Sequence, residues 1–306
     1  MSRILHVSDT HFLRDPAARG GDGASGYDRM IAELGDVSAG LRACLARGLA
    51  GGADLVVLSG DLTDGGDAED YRALRAIFDE ELERAGRAEV PMLVTPGNHD
   101  HKEAMRAGWL GETDGGTEGA GETTASSFTS THRSIPSDDP DADPESPLHA
   151  VEVVDGVAFV AFDSARFGRS DGFVDEGRAA WLARTLDGLG DMPVVLVTHH
   201  HLDPDQFATP AVSCPDAFWD TIASHDVRLI LCGHTHHVAR GQVRGIPYLT
   251  AQGLSFQGDN LPGGGGVRFT RAYGYGLYDL GEDGRVRHVE THVFEDGRQL
   301  GVVRFS

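Results

Sequence analysis

The sequence is poor in cysteine, in basic residues and in long apolar runs. Its three cysteines, Cys44, Cys214 and Cys232, form no CxxC pair. Cys44 sits in a helical pattern and Cys232 in a strand pattern, so both read as buried thiols. Lys and Arg number 26 against 48 Asp and Glu, a formal net charge of −22. A molecule so charged repels polyanions, and no basic run overturns this. A nucleic-acid polymer or an anionic membrane surface is therefore disfavoured as the main partner. No apolar run is long enough to span a bilayer, so membrane insertion is not expected. The N-terminus enters a strand-like run within a few residues and shows no signal peptide, which makes a reducing cytoplasm the simplest location. There is no internal repeat with a period of about 20–50 residues.

What is present is ample core material: 306 residues, 40% of them apolar. Five short runs of Val, Leu, Ile and Met stand out at residues 4–7, 55–58, 92–94, 194–197 and 229–231. Runs of this length and composition, ending in Gly, His and Asp, read as buried strands of an α/β sheet. Each is followed by a polar cluster: Asp9-Thr10-His11, Gly60-Asp61, Gly97-Asn98-His99-Asp100, His199-His200 and Gly233-His234-Thr235-His236. The clusters then fall at the carboxyl ends of strands, where open α/β sheets place their sites.

Between the runs, apolar periodicity predicts one amphipathic helix over residues 31–49 and a second over 67–84. Shorter helices are predicted over 176–189 and 216–224. Asp155-Gly156 between two β-rich runs predicts a hairpin of residues 149–154 and 157–162. Residues 14–25 read as a loop overhanging the first cluster, with Tyr27 and Arg14 as candidates to touch substrate. Residues 111–147 are rich in Gly and acidic residues. They read as a surface insertion rather than a domain boundary, with His132 and Arg133 the residues to test there. Residues 242–250, 273–280 and 285–294 read as antiparallel strands closing one domain over 1–306, and Gly263 to Gly266 as a flexible turn.

Asp9 and His11 lie two residues apart, so on extended backbone both side chains point one way and can reach one cation together. His234 and His236 repeat that spacing. Gly60 permits a tight turn, letting Asp61 project from the sheet end, and its two carboxylate oxygens can bridge two cations. Asn98 offers an uncharged amide oxygen. His99 stands beside it as the side chain best suited to give a proton near neutral pH. Asp100 is a candidate to orient that ring or to cap the next helix. Three consecutive His cannot all face one cation on extended backbone, so His199, His200 and His201 are not all ligands, and His200 is a candidate supporting or substrate-facing group.

This ordered set resembles the calcineurin-like metallophosphoesterase superfamily, whose DxH, GD, GNH[DE], H and GHxH pattern is complete here. The resemblance implies a four-layer α-β-β-α sandwich, two mixed β-sheets flanked by helices. It implies one ion held by Asp9, His11, Asp61 and His236, and a second held by Asp61, Asn98, His199 and His234. Asp64 stands where the purple acid phosphatase branch carries a Tyr ligand, and there the sequence departs from that branch. The mixed N and O donor set, free of thiolate, suits Mn, Fe or Zn in a divalent or mixed-valence pair. Two divalent ions bring four charges, of which two carboxylates and a bridging hydroxide remove three. The pocket is then locally cationic within an acidic protein. In-line attack by metal-bound hydroxide, with His99 at the leaving oxygen, is the expected chemistry.

The surroundings of the motifs look most like the bacterial class III cyclic nucleotide phosphodiesterases and glycerophosphodiesterases. A small phosphodiester such as 3′,5′-cyclic AMP is the first expectation. A broad-specificity phosphomonoesterase or glycerophosphodiesterase is the second. A non-catalytic, metal-free scaffold is the remote rival, since such scaffolds lose ligands and here none is lost. Pairing into a homo-oligomer is left open.

Overall fold

The computed structural model describes residues 1–112, 146–204, 211–262 and 265–304. The expectations for most of the 111–147 insertion, for His132 and Arg133, and for Gly263 and Gly264 lie outside the described residues.

The strands are β1 (Ser2–Val7), β2 (Leu55–Ser59), β3 (Met92–Thr95), β4 (Ala150–Val154), β5 (Val157–Ala161), β6 (Val194–Val197), β7 (Val227–Cys232), β8 (Ala239–Val243), β9 (Ile246–Thr250), β10 (Phe256–Asn260), β11 (Gly266–Leu280) and β12 (Val286–Arg304). The α-helices are α1 (Gly26–Leu34), α2 (Ser38–Ala50), α3 (Ala68–Arg84), α4 (Lys102–Met105), α5 (Glu176–Leu189) and α6 (Asp216–Ser224). One sheet runs β10-β11-β1-β2-β3, with β12 also on β11; the other runs β4-β5-β6-β7-β9-β8. β1, β2 and β3 are parallel, and so are β5, β6, β7 and β9.

Three apolar clusters make four layers. Ile4, Leu55, Val57, Phe159, Val195 and Leu229 fill the space between the sheets. Val56, Leu58 and Val94 point the other way, onto Ile31, Leu45 and Leu74 of the helices. Val160, Leu196 and Ile230 meet Leu182, Leu186 and Phe218 on the far side. Alternate residues of one strand thus enter different cores, which is why the runs read as unbroken apolar stretches. Each fully buried Leu, Val or Ile contributes about 1.5–3 kcal/mol. The expected α-β-β-α sandwich is the fold.

Several elements differ from the sequence expectation: a 3-10 helix, Pro16–Gly20, lies within the expected 14–25 loop, and Gly266, read as part of a turn, begins β11. The single helix over 31–49 is two helices, α1 and α2. Gly35, at φ 67°, ends α1 with its N–H on the Ile31 carbonyl, and Asp36 accepts from Ser38 N at 2.8 Å. Local capping bonds interrupt a helical face whose apolar period runs straight through them. Residues 242–250 are not one strand but most of the β8–β9 hairpin, turned at Arg244 and Gly245, both at positive φ. β9 also continues the second sheet in parallel with β7. The Asp155-Gly156 hairpin is present, with both turn residues at positive φ, as a primed turn requires.

Candidate metal centre

The polar clusters converge because β1, β2 and β3 of one sheet and β6 and β7 of the other end at one edge of the sandwich. Asp9, His11, Asp61 and His236 each bring a ligand atom within 4.8 Å of the others. His199, His200 and His234 form a second such group, and His11, Asp64 and His99 a third. Asp61 joins the first two. Its Oδ2 lies 3.6 Å from His11 Nε2 and 3.3 Å from His199 Nε2. Asn98 Oδ1 is 3.2 Å from His199 Nε2, and Asp9 Oδ1 is 3.3 Å from His236 Nε2. The seven expected ligands are thus brought together.

The backbone that delivers them is not extended, contrary to the alternation argument. β1 ends at Val7, and Asp9 and His11 sit at φ 54° and 43°. Asp61, His234 and His236 are likewise at φ 52°, 66° and 57°. L-residues rarely adopt this left-handed region, which costs about 1–3 kcal/mol each and tends to cluster at functional sites. Each strand turns sharply as it leaves the sheet, and that turn aims the side chain over the sheet end. Two glycines are required by the close crossing. A Cβ on Gly60, itself at φ 93°, would meet His199 Nδ1 at 2.5 Å, and one on Gly233 would collide with Ser8 Oγ.

Burial is the largest influence on the ionisation of Asp9, Asp61, Asp64, His99, His199, His234 and His236, and it resists charge. It raises Asp9 to about 6, lowers His234 to about 3, and holds His236 well below the usual imidazole value. At Asp61 and Asp64 neighbouring imidazoles outweigh burial and hold both carboxyls well below their usual range. At His99 and His199 carboxylates outweigh it, Asp61 foremost, and raise each ring to about 9.

Asp64 is the residue that sequence reasoning passed over. Its Oδ1 lies 2.7 Å from His99 Nδ1 and 3.4 Å from His11 Nδ1, and accepts from Tyr27 Oη at 3.0 Å. Arg19 reaches its Oδ2 at 3.3 Å and donates to its carbonyl. The carboxylate on the His99 ring is therefore Asp64, not Asp100. Asp100 instead accepts from the N–H groups of Leu62, Thr63 and Gly97 and from Tyr71 Oη, and so shapes the loops after β2 and β3. The available signal was a carboxylate three residues after Asp61, where one turn of loop can bring it back to the same centre. Tyr27 does reach this centre, through Asp64. Arg14 turns away to Asp67 and Asp70. His200 is fully buried with Nδ1 3.0 Å from Ser164 Oγ, and its ring centroid is 4.5 Å from that of His234. His237 lies outward, on the Thr235 carbonyl and Asp259.

The donors fit a pair of metal ions. His11 Nε2 and His236 Nε2 face each other at 3.2 Å, so at most one can donate to the other. His234 Nε2 is buried without a hydrogen-bond partner. Leaving such a group unmet costs about 1–3 kcal/mol, and two cations, one beside His11 and His236 and one beside His234, would meet both needs. Carboxylate, amide and imidazole are donor types that divalent metal ions take.

The calcineurin-like phosphoesterase profile matches residues 2–238. A cAMP/cGMP dual specificity phosphodiesterase of Mycobacterium tuberculosis is 27% identical over 274 residues, covering 87% of this chain and 71% of that protein. A glycerophosphodiester phosphodiesterase of Enterobacter lignolyticus is 24% identical, covering 79% and 73%. A 3′,5′-cyclic adenosine monophosphate phosphodiesterase of Pseudomonas aeruginosa is 22% identical over 95% of this chain and 92% of its own. Among solved structures, a dimetal phosphatase from Danio rerio shares the fold with a TM-score of 0.53 at 15% identity, covering 96% of this chain and 98% of its own. The chain belongs to the calcineurin-like phosphoesterase family and is a metal-dependent phosphoester hydrolase.

Proposed function

We propose that this protein is a phosphodiesterase acting on a small substrate, 3′,5′-cyclic AMP first among candidates. The observation that carries the reading is Asp61, in reach of both His11 and His199 and so able to serve two ions at once. Asp9, His11, Asp61 and His236 would hold one ion, and Asp61, Asn98, His199 and His234 would hold the other. When bound, the pair supplies Lewis acidity toward the phosphoryl oxygens and makes water nucleophilic at neutral pH.

The chain's own residues do the rest. His99 is the proton donor. Its Nδ1 is engaged by Asp64, which fixes the ring and leaves Nε2 for the leaving oxygen. Its side chain is 31% exposed, the open member of its cluster with buried His11 and Asp64. The cyclic nucleotide phosphodiesterases among the relatives support the substrate. The glycerophosphodiester phosphodiesterases among them favour a glycerophosphodiester as the second reading. No helix among the described residues is long and apolar enough to cross a membrane.

The test is turnover of cyclic AMP, a glycerophosphodiester, p-nitrophenyl phosphate and its bis-ester with added Mn²⁺, alongside metal analysis of the purified protein. Cyclic AMP is expected to be the best substrate. A protein that takes up no metal and leaves all four untouched would be the scaffold instead. His99→Ala is expected to keep its metal and lose about 10²–10⁴ in rate on esters with poor leaving groups. Wild-type turnover of such esters by His99→Ala rules out the assigned proton donor.

A further inference from the structure

Beside the centre, the chain displays an aromatic ring that nothing else in the reaction uses. Phe167 is 42% exposed, one of few large apolar side chains at the described surface. It occupies the second position of a tight turn closed by Arg169 N on the Arg166 carbonyl at 3.1 Å, and Gly168 follows at φ 71°. Positive φ at the third position is what a type II turn requires, and glycine supplies it without strain.

The turn is held firmly against the GNHD loop. Gly168 N donates to the Asn98 carbonyl at 2.8 Å. Buried Lys102 donates to the Ala165 carbonyl at 2.9 Å, just before the turn. Arg169 holds Asp171 with two bonds of 3.0 and 3.1 Å. The Phe167 ring stacks on His101, with centroids 3.6 Å apart and planes 25° apart. Its edge borders Gly65, where an added Cβ would lie 3.7 Å from Cζ. Gly65 in turn donates its N–H to the carbonyl of His99. The exposed ring is thus tied through backbone bonds to Asn98 and His99 and lies beside Asp64's neighbour.

A rigid, backed, exposed aromatic next to a phosphoester centre suits a planar group carried by the substrate. We infer that Phe167, backed by His101, is the platform on which the nucleobase of a nucleotide substrate stacks. This rests on the nucleotide reading above. A polar glycerol headgroup has no flat apolar face to place there, whereas every base has one. Arg19, 35% exposed on its side chain, borders the same Gly65 and is held there by its ion pair with Asp64.

The experiment is calorimetric binding of 5′-AMP and of ribose 5-phosphate to the Mn²⁺-loaded protein and to Phe167→Ala and Phe167→Trp. Wild type is expected to bind AMP more tightly than ribose 5-phosphate. Phe167→Ala should weaken AMP about tenfold, as loss of one stacked base does, and leave ribose 5-phosphate unchanged. Phe167→Trp should restore the preference. For cyclic AMP turnover the Ala variant should raise KM and leave kcat near wild type. Equal affinity of wild type for the two ligands overturns the platform, as does an Ala variant that weakens both alike or neither. Failure of the substrate assignment looks different: glycerophosphodiester is hydrolysed and cyclic AMP is not, while AMP binding still reads the platform directly.

Discussion

Asp64 gathers more of the centre than any other single side chain outside the seven expected ligands. One oxygen serves His99, His11 and Tyr27, and the other faces Arg19. Asp64→Asn keeps the size but removes the charge that pairs with the His99 ring. Activity is expected to fall about 10–100-fold, the usual cost of losing a partner that orients a working group. Metal content and the far-ultraviolet circular dichroism spectrum should stay close to wild type. Turnover equal to wild type would show that the ring needs no anionic partner. The DxH and GNHD residues could be read in the sequence because their identity and order alone define them. Asp64 could not, because its role depends on a side chain folding back across a loop. The same limit left Asp100 open between orienting the His99 ring and capping the next helix, because a position next to His99 in sequence need not be a contact in space.

At the scale of elements, α4 is fastened to the end of β5 by a buried ion pair. Lys102 Nζ lies 2.9 Å from Asp163 Oδ2, and both residues are fully buried. Asp163 also accepts from Leu148 N and Ala165 N, and Arg178 of α5 donates to its carbonyl. Lys102→Met removes the buried cation in contact with that carboxylate and should cost about 3–5 kcal/mol in urea unfolding. The double variant Lys102→Met/Asp163→Leu should recover much of the loss, since replacing both partners is often near neutral. A double variant as unstable as the single one would locate the cost elsewhere. The pH dependence has a definite sign. Burial pushes the Asp163 carboxyl up, but Lys102 and Arg178 outweigh it and lower the folded value below the usual one near 4. Stability from this pair is therefore present above about pH 4 and lost as pH falls through the lower folded value. Acid-induced unfolding of Lys102→Met should show a shallower fall over that window. The parallel strands were legible because both of their faces are apolar. The break between α1 and α2 was not, because Gly35 and Asp36 act through local bonds that periodicity does not see.

Over the whole molecule, the centre joins two bodies. Asp9, His11, Asp61 and Asn98 follow strands of one sheet, while His199, His234 and His236 follow strands of the other. The sheets meet elsewhere through the apolar layer between them. At this edge they meet through imidazoles and carboxylates, several held on left-handed backbone and two, His200 and His234, with a buried Nε2 that lacks a hydrogen-bond partner. Ions bound here would link the sheets and satisfy groups that otherwise add strain and unmet polarity, so metal should favour the folded state in proportion to its affinity. A free metal concentration 100 times Kd corresponds to about 2.7 kcal/mol for one site. For a chain of this size that is a rise in Tm of several degrees. Adding Mn²⁺ after chelation should therefore raise Tm, and should slow amide exchange at the ends of β2 and β6 together. His236→Ala, which removes a donor from the second sheet's side, should shrink both effects while leaving the chelated protein near wild-type stability. A Tm that ignores Mn²⁺ at millimolar concentration, or exchange slowed in one sheet alone, would mean that the ions do not bind across the two sheets.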